Sequence, residues 1–176
     1  LIKFDLRCID RLPYYEQGAD GKPIVTGHYA AMVAPVRNKA GEVVAAHLTY
    51  LLAGQKAPVT NPKKIIGSPK GGAIRLSFAY GEVGLAEGIE TAIAARAIFN
   101  KPVWAVMSAS LAPFIELPPN IKTAHIYADR DESKAGQIAA YRLTEQLETQ
   151  GITVGSRKTP ANQNDFYDIY AAGLPQ

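Results

Sequence analysis

The chain has 176 residues, 47% of them hydrophobic and 20% charged, a composition that fits one globular domain or two small lobes and excludes a disordered or fibrous protein. No run of 18 apolar residues occurs, so no membrane-spanning helix is expected, and the single cysteine, Cys8, excludes an internal disulfide or a thiolate metal cluster. The net charge of +3 divides unevenly: residues 1–80 hold 11 Lys/Arg against 5 Asp/Glu, a balance of +6, and residues 81–176 hold 8 against 11, a balance of −3. A basic half beside an acidic half suits an enzyme that grips a polyanion with one surface and holds cations on another.

In chain order, the first 27 residues read as irregular, with turn signals from Gln17 to Pro23. His28 to Val36 reads as a strand, Asn38-Lys39-Ala40-Gly41 as a turn, and Glu42 to Leu51 as the returning strand of a hairpin. Residues 53–72, rich in Gly, Pro, Lys and Asn, read as a long surface loop, and Ala73 to Phe78 as a short strand. Beyond Tyr80-Gly81 strands and helices alternate. Strands are expected over Val83–Ala86, Val103–Met107, Ile121–Ala128 and Ile152–Val154. Helices are expected over Ile89–Phe99, with Ile93, Ala97 and Ile98 on one face, and over Ala135–Gln150, where Ile138, Tyr141, Arg142 and Leu143 flank the buried face. Gly151 stops the second helix, and Asp165–Ala172 reads as a last short one. That order implies an α/β fold, a mainly parallel sheet flanked by helices.

In such a sheet ligands gather beyond the carboxyl ends of the strands. Glu87 follows the first strand of this half, and Asp129-Arg130-Asp131 follows the third. Carboxylates converging from separate strands repel one another unless a cation neutralises them, and an oxygen-only donor set suits Mg²⁺ or Mn²⁺. Such sites serve phosphoryl transfer. Each residue has a plainer reading: aspartate at a strand-to-helix junction is an ordinary N-cap, and a surface glutamate pairs with a lysine.

Leu85-Ala86-Glu87-Gly88, then Tyr127-Ala128-Asp129-Arg130-Asp131, then Ala135-Gly136 and Ala139-Ala140, resembles the Toprim fold shared by DnaG-type primases, topoisomerases and some nucleases. Its Gly88-Ile89-Glu90-Thr91-Ala92 continuation is similar to primase-like proteins of phages, plasmids and conjugative elements. The resemblance covers roughly residues 81–170. It implies a Toprim domain over 81–176, with Glu87, Asp129 and Asp131 as catalytic metal ligands. Asp165, after Pro160-Ala161-Asn162-Gln163-Asn164, resembles a further metal-binding aspartate, and its plainer reading is a helix cap. Ala34-Pro35-Val36-Arg37, Gly41-Glu42-Val43-Val44, Lys63 to Pro69 and Ile74-Arg75-Leu76 follow in order a pattern of the amino-terminal lobe of the primase core. This implies a small mixed α+β lobe over residues 1–80 that binds nucleic acid.

The densest basic group is Lys56, Lys63, Lys64, Lys70 and Arg75, which with Arg37 forms the expected template surface. Glu90, one turn after Glu87, is either a carboxylate facing the metals or an ordinary acidic residue of a helix first turn. His28, His47 and His125 lie on separate strands without ligand spacing, Trp104 reads as core, and Ser108 and Ser110 have no base at suggestive spacing. The expected activity is DNA-directed priming, making short RNA primers on single-stranded DNA from NTPs with Mg²⁺ or Mn²⁺. A Toprim nuclease and a non-catalytic nucleic-acid-binding module of a mobile-element replication protein are the alternatives. Leu1-Ile2-Lys3-Phe4-Asp5 carries neither an initiator methionine nor a signal-peptide pattern. The sequence therefore reads as a fragment of a longer cytoplasmic replication protein, with a replicative helicase, or a helicase domain of the same chain, as an expected partner.

Overall fold

A computed structural model describes residues 5–130, 135–160 and 164–173. The amino-terminal lobe is one antiparallel sheet of β1 (Arg7–Gln17), β2 (Pro23–Arg37), β3 (Val43–Leu52), β4 (Gln55–Lys56) and β5 (Lys63–Gly67). Among its described residues there is no helix, so the expected mixture of α and β reduces here to β. Strand β1 runs through a stretch expected to be irregular. It is an edge strand, mostly exposed, whose side chains do not alternate cleanly between apolar and polar; backbone pairing with β2 makes it a strand, and Tyr14 is the side chain it buries. The turn signals between Gln17 and Pro23 do close the β1–β2 hairpin, with Gly18 N–H donating to the Lys22 carbonyl at 2.8 Å.

The expected loop over 53–72 contains two strands. A two-residue turn, Ala53-Gly54, places both residues at positive φ (50° and 78°) and returns the chain as β4. Strand β5 then adds to β3 on the same side. Conversely, the strand expected over Ala73–Phe78 is reduced to isolated bridges. Arg37 pairs with Ala73, and Ile74 exchanges backbone hydrogen bonds with Ala105 at 2.9 and 3.0 Å. This segment crosses from one sheet to the other with Ile74 and Leu76 buried, so burial rather than a ladder holds it extended.

The second sheet is fully parallel, in the order β7-β6-β8-β9, from β6 (Gly81–Ala86), β7 (Val103–Ala105), β8 (Ile121–Tyr127) and β9 (Thr153–Lys158). Helix α1 (Ile89–Phe99) links β6 to β7 and α2 (Ala135–Thr149) links β8 to β9. These links run in opposite directions along the sheet, and right-handed crossovers then place their helices on opposite faces. One core lies between the sheet and α2; the other lies between the sheet, α1, α3 (Phe166–Ala171) and the amino-terminal lobe. The buried stripe of α2 is Ala139, Ala140, Leu143 and Leu147, while Ile138 and Tyr141 are exposed. In α1 the buried face centres on Ile89, Ala92 and Ala95, and Ala97 is exposed. Small residues let the helices approach closely, so the largest side chains do not mark the inner face.

Gly84, in central strand β6, makes room for the second core. A Cβ there would meet Tyr127 Cε2 at 2.5 Å and Val103 Cγ2 at 2.8 Å. Tyr127 in turn stacks on Phe99 at 4.9 Å between centroids and meets Phe166 edge-on. Gly84→Ala is expected to destabilise the fold by about 1–3 kcal/mol through overpacking. Thermal melts check this, at roughly 2–4 °C for each kcal/mol in a chain of this size.

Candidate active site

The order of the parallel sheet reverses between β6 and β8: the link leaving β6 runs to β7 on one side, and the link leaving β8 runs to β9 on the other. A crevice opens at the carboxyl ends of strands flanking such a reversal. Glu87 is the first residue after β6, and Asp129 lies two residues past β8, so both acids stand at that crevice. The Asp129 segment is fixed on both sides: Ala128 N–H donates to the Lys158 carbonyl at 2.9 Å, and Arg130 N–H to the Asn164 carbonyl at 2.6 Å. The second of these bonds draws the approach to α3 toward the same edge. Asp165 caps α3, its Oδ1 accepting from Asp168 N–H at 2.9 Å, and it also lines the cleft. The capping side chain is thus also part of the cleft wall. Asp131 lies outside the described residues.

The cleft has a volume of about 640 Å³ and lies between the two sheets. Glu87, Glu90, Asp129 and Asp165 come from the parallel-sheet side; Thr49, Lys56 and Lys63 come from the amino-terminal lobe. Glu90 spans the gap, with Lys56 Nζ at 3.7 Å and Lys63 Nζ at 3.9 Å. Burial pushes the Glu90 carboxyl up, but its own backbone N–H and then Lys63 and Lys56 outweigh that, leaving it below the usual carboxylate value. Behind the lysines, burial and then Lys63 hold the His47 imidazole below its ordinary range. Met107, also on the cleft wall, has φ 73°, a left-handed conformation that non-glycine residues rarely adopt. Nothing in the sequence signals Met107 or Thr49 as site residues.

The six basic residues expected on the template surface are dispersed. Lys56 and Lys63 enter the cleft. Lys64, the next residue on β5, projects from the opposite face, because successive strand side chains alternate; its ammonium donates to the Tyr15 carbonyl and lies 4.0 Å from the Tyr14 ring centroid. Lys70 sits 4.1 Å over the Phe114 ring. Arg37 pairs with Asp5 and donates to the Gly41 carbonyl at 2.9 Å. Arg75 donates to the Asn38 carbonyl and stacks over Trp104 at 4.6 Å. These two arginines brace the turn between β2 and β3. Trp104 is core, as expected, with its indole N–H donating to the Ser77 carbonyl at 2.8 Å.

The carboxylates of the lining fit a hard divalent ion, and among the described residues no imidazole or thiolate lines the cleft. Among the described residues no three acidic, histidine or cysteine side chains approach closely enough to hold a metal on their own.

A parallel sheet with acids at its point of reversal, flanked by helices on both faces, is the Toprim arrangement. The Toprim domain model matches residues 82–175, and the chain belongs to that family. A domain of unknown function, DUF7146, matches residues 3–76. No curated protein sequence matches the chain. Among solved structures, the primase fragment of the bacteriophage T7 primase-helicase protein is similar, with TM-score 0.59 and 16% identity over 92% of this chain and 62% of its own. A DNA primase domain from Pseudomonas aeruginosa gives 0.59 and 18%, over 90% and 52%. The DnaG primase catalytic domain bound to ssDNA gives 0.57 and 15%, over 90% and 53%. The chain therefore spans less than two thirds of each of these structures. The fold is that of primase cores across both lobes.

Proposed function

We propose that this chain is the catalytic core of a DNA primase, acting by divalent-metal-dependent nucleotidyl transfer. The observation that carries the reading is one cleft lined on one side by Glu87, Asp129 and Asp165 and on the other by Lys56 and Lys63. Likeness to primase structures over both lobes supports it against a nuclease, since the amino-terminal sheet is matched together with the Toprim sheet. Glu87, Asp129 and Asp131 would hold Mg²⁺ or Mn²⁺, with Asp165 as a further ligand. Such an ion polarises a phosphoryl oxygen and stabilises charge on the oxygens of a displacement. The residues themselves do the positioning. Glu87 and Asp129 are anchored at strand ends, Asp165 is fixed by its cap, and Lys56 and Lys63 offer ammoniums to phosphates entering from the lobe side.

The proposed division is a nucleic-acid-binding lobe over residues 1–80 and a Toprim domain over 81–176. Proposed partners are single-stranded DNA and NTPs, together with a helicase, or a helicase domain of the same chain, by analogy with the T7 primase-helicase protein. The test is incubation of the parent protein with single-stranded DNA, Mg²⁺ or Mn²⁺ and labelled NTPs. Short new oligonucleotides support priming, shortened input DNA supports a nuclease, and binding without turnover supports a non-catalytic module.

A further inference from the structure

Six charged side chains line the cleft among the described residues: Lys56, Lys63, Glu87, Glu90, Asp129 and Asp165. Four acids against two bases give a formal balance of −2, so the metal-free cleft opposes the entry of phosphate. Glu90 contributes in two ways. Its charge belongs to that balance, and its carboxylate pairs with both ammoniums that an incoming phosphate would use, at 3.7 and 3.9 Å. Both pairs are long, and both lysines are half-exposed, so the contacts can be exchanged for a better anion. Glu90 lies one helical turn beyond Glu87, on the first turn of α1, where it faces β4 and β5.

We propose that Glu90 makes anion binding in this cleft depend on divalent metal: it occupies Lys56 and Lys63 until a cation has neutralised the carboxylate edge, and metal-borne phosphates then displace it. This rests on the reading of the cleft as a metal and phosphate site. Anion and metal binding are then coupled, each strengthening the other by the same factor. Glu90→Gln removes the charge while keeping the size of the side chain, and Glu90→Asp keeps the charge.

The probe is inorganic triphosphate, titrated calorimetrically into this chain in EDTA and again in Mg²⁺. In EDTA, Glu90→Gln should bind at least about tenfold tighter than wild type, the order expected for one unit charge several ångströms away at an intermediate effective dielectric. In Mg²⁺ the gap should shrink to within about threefold as the cation dominates the local field. Glu90→Asp should follow wild type, and adding Glu90→Gln to Lys56→Ala/Lys63→Ala should tighten binding in EDTA by clearly less than in the wild-type background, because only the through-space charge is then removed. Wild-type binding in Mg²⁺ with no tightening by Glu90→Gln in EDTA, or with equal tightening in both buffers, overturns the role of Glu90 and leaves the site standing. Absence of wild-type binding even in Mg²⁺ overturns the site and the role together.

Discussion

Glu87→Gln should lower primer synthesis by about 10²- to 10³-fold or more, the scale of losing a preorganised electrostatic partner of the transition state, while single-stranded DNA affinity stays near wild type. The residue sits at the end of β6, where the strand and the first turn of α1 fix it, and the amide keeps its size and hydrogen-bonding capacity. Only the charge at the crevice is lost. The lobe that supplies Lys56 and Lys63 is untouched, and at saturating metal Asp129, Asp131 and Asp165 would still hold a cation at the edge, so turnover and DNA binding should separate. Primer synthesis at saturating metal, measured beside fluorescence anisotropy on the same preparation, checks both halves. Wild-type turnover in Glu87→Gln would mean that the crevice chemistry uses another acid.

The second large effect concerns the lysines. Each phosphate neutralised on a single strand contributes about 0.7 to the slope of log affinity against log salt. With Mg²⁺ present, so that Glu90 releases them, Lys56→Ala/Lys63→Ala should therefore flatten that slope by about 1.4 and weaken binding at low salt. Lys64→Ala serves as the internal comparison. Adjacency in sequence pairs Lys63 with Lys64, but β5 turns them to opposite faces, and Lys64 is engaged by Tyr14 and the Tyr15 carbonyl. Its replacement should leave the slope unchanged. Equal flattening by Lys64→Ala would place the strand along the outer face of the lobe instead of in the cleft.

Lys63 and Lys64 are alike in the sequence and differ only through the strand that carries them. Glu87, Asp129 and α1 were legible because each acid follows a compact apolar strand and the helix spans the expected Ile89–Phe99. Asp165 reads from sequence either as a cap or as a further metal ligand, and the structure shows the cap on a side chain that also lines the cleft. Strand β1 was not legible, since an exposed edge strand is defined by backbone pairing that leaves little trace in side-chain pattern. The basic residues expected as one group are dispersed in the structure, and only Lys56 and Lys63 line the cleft. Which lysine meets the cleft depends on strand register, and which arginine braces a turn depends on carbonyls far along the chain, as with Arg75 and Asn38. The ion pairs of Glu90 needed helix α1 docked against β4 and β5 of the amino-terminal lobe, which no local pattern encodes.

Thermal melts with and without Mg²⁺ or Mn²⁺ test whether the acidic edge holds a divalent ion, without requiring turnover. A ligand that binds only the folded chain stabilises it by about 2.7 kcal/mol at a hundredfold excess over Kd, a shift of several degrees here. That shift is expected in the wild type and should be lost in Asp129→Asn/Asp131→Asn. Equal metal-induced shifts in the two proteins would contradict it.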